Sequence, residues 1–572
     1  MVTGLLCLWL CILMHISFFN VGSNDGVYLP QNMLAWCVAT VVIALVAGLM
    51  PCRQFHMTTT SWLLVMGVVL LTLPVLWSPE YDWRWLAMPR LVGLWGGVAF
   101  YIALLQCDFS ERQKNTLLWS LTLAALWEAG NVWAGLFFPS LLSETAQRFI
   151  AVHGRMALGT FQQVNVTASF LATGFAFFIA LFATRTVIPL KPHGRYESWL
   201  KGGYLLVGLF FIPGTLILMK SRIGWLGGMI VYLVAVVLTL TRMQRLSGIQ
   251  WRQVLMLIFV PLAGVGAGIY LLDCSVMRAA AHSGSNYQRW LTLKTTWEMI
   301  RLHPWQGWGL GSFRMQFQHY MASRSSPNLS LELMGHPHNE VFYTWVEGGV
   351  IALAGIVILA WAGIRLLILN RTYSRLMTGV ALVPIALHTQ VEFPLYYSVA
   401  HVLTLLLIMR NLDVQVCSLR TQRGTSAKRD VAFNGARIAV VAGCIWGLFT
   451  LFGSLRASFI LSHYEDQTLP DIGVIKHLNV SWLLHSRYEY DLLTEGMLEY
   501  SVRGDKGLLV GFLRDNAQWL ATHTEPDSYA NQIDVLHYLL RNEEACTYSI
   551  EANKLFPWDK RFSRKCLLSG IK

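Results

Sequence analysis

The sequence predicts an all-α polytopic membrane protein. It has about thirteen transmembrane helices, an inner N-terminus, an outer C-terminus, a long outer loop and a small helical C-terminal domain. Three observations carry this reading. Of 572 residues, 55% are hydrophobic and only 13% charged, against roughly 25% charged in a soluble domain. Apolar runs near the ~20 residues that cross a bilayer core as a helix recur along the chain. The basic residues between those runs fall unequally on alternate sides. Aromatic residues at 12%, with 23 Trp, suit helix ends anchored at the interfaces. A net charge of +12 on a soluble chain would point to nucleic acid. Here the excess sits in loops between apolar runs, so no nucleic-acid partner is expected.

In chain order the runs fall near 3–20, 34–50, 60–78, 91–106, 116–138, 166–184, 203–219, 224–241, 254–272, 347–369, 376–390, 395–409 and 437–456. The first resembles a signal h-region, but it is long, lacks a basic n-region and has no clear small-residue cleavage site, so it reads as a retained helix. The eleventh and twelfth are short. With the N-terminus in the cytoplasm, the cytoplasmic loops hold eighteen Lys and Arg, including Arg53, Lys191, Arg245 and Arg423. The short outer loops hold six: Arg84, Arg90, Arg148, Arg155, Lys220 and Arg222. That asymmetry follows the positive-inside rule. It puts loop 273–346 and tail 457–572 outside, which in a diderm bacterium would be the periplasm, with the protein in the inner membrane.

Two domains follow: a membrane domain, 1–456, that includes loop 273–346, and a helical outer domain, 457–572. In the tail, helical spacing with polar faces appears near 484–502, 509–522, 526–541 and 543–556. Tyr529 to Pro557, with Ala545 and Ala552, resembles one TPR-type helical hairpin. Segment 418–436, rich in Ser, Arg, Gly and Lys, reads as a flexible linker. Ten cysteines make no CxxC pair and no zinc spacing. Cys7, Cys11, Cys37 and Cys444 lie in or beside apolar runs and read as packing residues. Cys546 and Cys566 share the polar tail and read as a disulfide pair or two unrelated thiols.

Five polar groups on the outer side carry candidate chemistry. Lys220-Ser221-Arg222 interrupts two apolar runs. Cations at that depth read as an anion site for a lipid phosphate or as an interfacial anchor. In the long loop, Tyr287-Gln288-Arg289-Trp290 precedes a helical stretch to Arg301. His303-Pro304 and Gly307-Trp308-Gly309-Leu310-Gly311-Ser312-Phe313 follow. The alternating glycines allow tight turns and close approach to a ligand, without the strand, helix and spacing of a dinucleotide loop. Arg289 is a fork donor suited to pyrophosphate or an ordinary surface arginine. Gly335-His336-Pro337-His338-Asn339-Glu340 precedes an apolar helix. Its histidines read as a general base with a neighbour, as metal ligands, or as a polar loop in which Asn339 caps the helix. Gly159-Thr160-Phe161-Gln162-Gln163-Val164-Asn165 opens the sixth span, and His388-Thr389-Gln390-Val391-Glu392-Phe393-Pro394 joins the eleventh and twelfth. With all of these on one membrane face, an outward-opening polar cavity of amides, Arg, His and Glu is expected.

These residues resemble the O-antigen ligase / Wzy polymerase superfamily. The likeness runs over roughly 160–400 and rests on Ser221-Arg222, Arg289, His303-Pro304, the Gly307–Phe313 motif, His338-Asn339 and Glu347-Gly348. Within the superfamily the chain looks most like the PglL-type protein O-oligosaccharyltransferases, through Gly159–Asn165, His388 with Glu392 and Pro394, and the helical tail. The resemblance implies transfer of a preassembled glycan from undecaprenyl pyrophosphate to Ser or Thr of a periplasmic acceptor such as a pilin. By position, Arg222 and Arg289, with Lys220, would hold the pyrophosphate. His338 would activate the acceptor hydroxyl, with His336 beside it. Gln162, Gln163, Asn165, Asn339, His388 and Glu392 would complete the site. Neither metal nor cofactor is expected, because Arg can stabilise a departing pyrophosphate, although Glu80-Tyr81-Asp82 leaves a small metal alternative. The competing expectations are a ligase acting on lipid A–core, a glycan polymerase and a polyprenyl-linked glycan flippase. No internal repeat of the kind transporters carry is seen. Membrane lipids are expected partners in every case.

Overall fold

The computed structural model describes the chain except residues 17, 19–25, 27–28, 50–53, 154–156, 188–194, 243–247, 275–282, 325–326, 414–416, 421–426, 466, 468–472 and 564–572. Arg53, Arg155, Lys191, Arg245, Arg423 and Cys566 thus lie outside the described residues. The chain forms two compact units, one of Met1–Val65, Leu94–Ala279 and Ile358–Leu455, the other of Met66–Gly93, Ala280–Val357 and Arg456–Lys572.

The described residues are overwhelmingly helical, as the apolar runs predict. Along the chain come α1 (Val2–Cys11), α2 (Pro30–Leu49), β1 (Gln54–Met57), α3 (Thr59–Thr72), α4 (Tyr81–Leu105), α5 (Glu111–Phe137), α6 (Glu144–His153), α7 (Val164–Val187), α8 (Arg195–Leu218), α9 (Arg222–Leu240) and α10 (Gly248–Cys274). Then follow α11 (Ser283–Leu302), α12 (Phe313–Ser323), α13 (Glu340–Leu369), α14 (Tyr373–Gly379), α15 (Leu382–His388), α16 (Pro394–Tyr397), α17 (Val399–Leu412), β2 (Cys417–Arg420) and α18 (Ala427–Glu465). Among the described residues, nine helices are long and apolar enough to cross a membrane, and Val2–His15 and Val399–Leu412 are shorter apolar helices. The described parts of the thirteen expected runs fall on helices or helix pairs; the first is helical over Val2–His15, and its residues 17, 19 and 20 lie outside the described residues. The eleventh is split into α14 and α15 at Val380-Ala381. Strands β1 and β2 pair antiparallel, Gln54 opposite Arg420 and Met57 opposite Cys417. The expected linker 418–436 therefore contributes to a strand and to the start of α18.

The first unit is organised around α7. The apolar part of this helix is buried throughout, and its sequence explains why. Ala168, Ser169, Ala172, Thr173, Gly174 and Ala176 are small enough to let neighbouring helices approach closely, the usual basis of helix association in lipid. At Gly174 an added Cβ would sit 2.1 Å from the Ala125 Cβ of α5. At Gly264 of α10 it would sit 2.0 Å from the Phe210 carbonyl oxygen of α8. Both contacts exclude any larger residue.

The second unit joins the long loop to the tail. Met299 and Ile300 of α11 pack with Phe313, Phe317 and Met321 of α12, and with Met334 and Val346. The tail adds α19 (Gly473–Lys476), α20 (His485–Leu493), α21 (Glu495–Arg503), α22 (Lys506–Leu520), α23 (Pro526–Tyr538) and α24 (Asn542–Leu555). Its core includes Phe512, Tyr529, Leu536, Ala545, Ala552 and Phe556, with Ala322 and Leu333 of the loop packed against it. The expected hairpin over Tyr529 to Pro557 is the α23–α24 pair. The amide of Gln318 donates to the Leu555 carbonyl, that of Asn328 donates to the Lys554 carbonyl at 2.9 Å, and Arg314 pairs with Glu525 at 2.6 Å. Cys546 is disulfide-bonded.

Candidate functional site

In the first unit the structure gathers the amide, histidine and carboxylate residues singled out from sequence. The Gly159–Gln163 turn delivers the chain into α7. Glu392 then collects three side chains. Gln163 Nε2 donates to its Oε2 at 2.8 Å, Asn165 Nδ2 donates to its Oε1 at 2.7 Å, and His388 Nε2 lies 3.2 Å from its Oε2. The i,i+4 spacing of His388 and Glu392 follows the turn that ends α15. The network continues inward. His388 Nδ1 lies 2.8 Å from Ser169 Oγ, and His401 Nε2 lies 3.1 Å from the same oxygen. It also continues outward, because Ser221 Oγ donates to Asn165 Oδ1 at 2.8 Å. Ser221 is the N-cap of α9, accepting from Gly224 N at 3.2 Å, so Arg222 is the first residue of that helix. A cation at the positive end of a helix dipole, next to Lys220, works against helix stability. It concentrates positive potential where an anion would be held.

Gln162 departs from this group. Its amide donates to the Phe18 carbonyl, and its Oε1 is buried with no hydrogen-bond partner among the described residues.

Sequence reasoning missed a second carboxylate in this unit. Glu128 is fully buried in α5. Its Oε1 accepts from Thr160 Oγ1 at 2.6 Å and lies 2.6 Å from His15 Nδ1, and its Oε2 accepts from Thr160 N at 2.9 Å. It thereby holds the turn that presents Gln163 and Asn165. The available signal was an ionisable residue inside an apolar run, which is expensive without a purpose.

In the second unit, His336 and His338 form an edge-to-face pair with ring centroids 4.5 Å apart. Asn339 Oδ1 accepts from Phe342 N at 2.9 Å, so the capping role read from sequence holds. Arg289 lies half-buried near the start of α11. The glycine motif is shaped by protein backbone. Gly307 and Gly311 have φ of 72° and 82°. An added Cβ would lie 2.4 Å from the Glu347 carbonyl oxygen at Gly307, and 2.1 Å from that of Trp83 at Gly311. The close approach expected toward a ligand is therefore, at these two glycines, an approach to the start of α13 and to α4. Glu347, missed as a structural centre, straps this loop. Its Oε1 accepts from Gly311 N at 3.1 Å and Phe313 N at 3.2 Å, and its Oε2 pairs with Arg90 Nη2 at 2.6 Å. The Arg90 guanidinium also lies 4.8 Å from the Tyr343 ring centre. Across the motif, Gly349 (φ 68°) interrupts α13.

Backbone conformation adds an independent mark. Among the described residues, four that are not glycine have left-handed φ: Gln162 (57°), Lys220 (54°), His338 (56°) and Leu540 (61°). Each costs roughly 1–2 kcal/mol relative to ordinary backbone, and such strain concentrates at functional sites. Three of the four are residues picked from sequence for their chemistry.

Two family models match the chain. Residues 206–357 match the model described as O-antigen ligase. Residues 376–566 match the model described as virulence factor membrane-bound polymerase, C-terminal. These matches support the superfamily of O-antigen ligases and polymerases, and with it a membrane glycan ligase or polymerase of glycosyltransferase type. The first match contains Lys220, Arg222, Arg289, the glycine motif and both histidines. The second contains His388, Glu392 and the described tail. No individual curated protein matches the sequence.

Proposed function

We propose that this protein transfers a preassembled oligosaccharide from undecaprenyl pyrophosphate to Ser or Thr hydroxyls of periplasmic proteins such as pilins, at the outer face of the bacterial inner membrane. In this reading Arg222 and Arg289, with Lys220, bind the pyrophosphate. His338 takes the proton of the acceptor hydroxyl while its oxygen attacks the anomeric carbon. The bond from that carbon to the phosphate oxygen breaks, the pyrophosphate leaves with the electron pair, and configuration inverts. Guanidiniums stabilise the departing charge, and a hydroxyl needs a base to become a competent nucleophile. His336, Asn339, Gln162, Gln163, Asn165, His388 and Glu392 are assigned to shaping and orienting.

The observation that carries the reading is the left-handed backbone at Lys220 and His338, the residues that sequence assigns to donor charge and to base. The family matches equally favour a second reading, a ligase or polymerase whose acceptor is lipid A–core or a growing glycan. The test is transfer by the purified full chain from a polyprenyl-pyrophosphate glycan, with pilin-type protein and lipid A–core offered in parallel, chelator present, and H338A as control. Glycan on protein Ser or Thr, lost in H338A, is the expected result. Transfer to lipid A–core alone establishes the second reading. Full activity in H338A, or transfer to neither acceptor, overturns the catalytic assignment and leaves a flippase.

A further inference from the structure

Helix α11, in the second unit, exposes large aromatic side chains while covering several polar ones. The side it buries mixes polar residues with the apolar pair Met299 and Ile300 near its end: Thr292, Thr295 and Thr296 are fully buried, and Gln288 is 3% exposed. The side it presents outward is aromatic and basic. Tyr287 is 47% exposed, Trp290 66% and Trp297 42%, and Lys294 and Arg301 are exposed between and beyond them. These five residues stand at i, i+3, i+7, i+10 and i+14, one face of a helix, along about 21 Å of its length. Neither Lys294 nor Arg301 forms an ion pair among the described residues. A water-facing helix seldom exposes three large aromatic side chains along one face.

The end of this stripe is fixed to helices that are apolar enough to cross a membrane. Trp305 follows α11 and is 74% exposed. Its carbonyl accepts from Val350 N of α13 at 3.2 Å. Trp77, at the end of the apolar segment Thr59–Leu76, donates its indole N–H to the Gln306 carbonyl at 3.0 Å. Exposed Leu76, Trp77 and Tyr81 continue the apolar and aromatic character at that point. Trp and Tyr with interleaved Lys and Arg are the composition of a surface lying at the level of lipid headgroups, where rings sit at the acyl boundary and cations meet phosphate.

We infer that the Tyr287–Trp290–Lys294–Trp297–Arg301 face of α11 is a binding surface for anionic phospholipid headgroups, holding this helix at the outer membrane–water interface. The surface stands independently of the glycan-transfer reading. Neutral lipids satisfy the rings alone, whereas the two unpaired cations select for negative charge.

The test uses the full chain in nanodiscs of equal phosphatidylglycerol and phosphatidylcholine, with the photoreactive residue p-benzoylphenylalanine at position 290 or 297, read by mass spectrometry of lipid adducts. Adducts at both positions are expected, with phosphatidylglycerol enriched about fivefold or more over phosphatidylcholine. The enrichment should vanish in K294Q/R301Q, and in K294E/R301E, while adducts to phosphatidylcholine persist. Absence of lipid adducts at both positions overturns the inference, as does equal capture of the two lipids. Adducts displaced by soluble oligosaccharide would make the face a glycan platform and would also overturn it. Elution as a monodisperse peak separates these outcomes from misfolding of a variant.

Discussion

Removing the Glu347 carboxylate should loosen the second unit, because it straps the Gly307–Phe313 motif. Glu347 is 1% exposed at its side chain and Arg90 15%, so the pair is shielded enough for charge to matter. Breaking a buried ion pair by deleting one partner costs about 3–5 kcal/mol. Stranding a buried N–H adds about 1–3 kcal/mol, and here Gly311 N and Phe313 N both lose their acceptor. These losses overlap, and Arg90 retains its ring contact with Tyr343, so Glu347→Ala is expected to cost about 4 kcal/mol. Glu347→Gln keeps an oxygen for both N–H groups but turns its NH2 toward Arg90, losing the charge and that acceptor, for about 3 kcal/mol. The assay is equilibrium unfolding of detergent-purified protein in SDS, run as a double-mutant cycle with Arg90→Ala. A coupling of about 2 kcal/mol is expected between the two sites. A loss below about 1 kcal/mol in Glu347→Ala, or additive single changes, would refute the strap.

Three further outcomes are expected. Gly311→Ala should destabilise by at least about 3 kcal/mol, from left-handed strain plus a Cβ against the Trp83 carbonyl. Gly504→Ala, with φ 70° and open space around it, should cost only about 1 kcal/mol, and equal losses in the same unfolding assay would contradict the geometry. Asp491 is buried near Glu465, whose carboxylate is gripped by Arg487. Burial, with the Glu465 charge, pushes its carboxyl up to about 8. The folded state therefore holds a proton that the unfolded state releases near pH 4, and the stability so gained is lost as pH rises through about 8. His523, stacked on Trp519, is held down to about 4 by burial and acts in the opposite direction only below about pH 6.5. Between about pH 6.5 and 9 the thermal midpoint of wild type should thus fall more than that of D491N, and parallel curves would reject the assignment. Asn165→Ala cuts the bond from Glu392 to the Ser221 cap. It should raise KM for the lipid donor with a smaller change in kcat, whereas a loss confined to kcat would separate this network from donor binding.

Much of the architecture was legible before any coordinates, because a bilayer imposes length, polarity and charge on the chain itself. Apolar runs located the helices. The helical spacing of the tail located α20 to α24, and Tyr529, Ala545 and Ala552 marked the α23–α24 pair. Residues with chemistry announced themselves by standing at the ends of apolar runs, and Gln163, Asn165, His388 and Glu392 did converge. Position alone said less about bonding. Gln162, one residue from Gln163, bonds to Phe18, because the left-handed turn sends neighbouring side chains in different directions.

What the sequence by itself determined is the class of protein and the supply of polar groups at the ends of its spans. Burying backbone in lipid leaves helices as the economical solution, and lone polar residues stand out against an apolar background. What only the tertiary structure decided is the pairing of groups far apart in the chain: Glu128 with His15 and Thr160, Glu347 with Arg90 and the glycine loop, and the loop with the tail. A carboxylate in an apolar helix reads the same in sequence whether it is a ligand site or a strap. Its role is set by which donors the other helices bring within about 3 Å of it, and by which side of a helix such as α11 the rest of the chain chooses to cover.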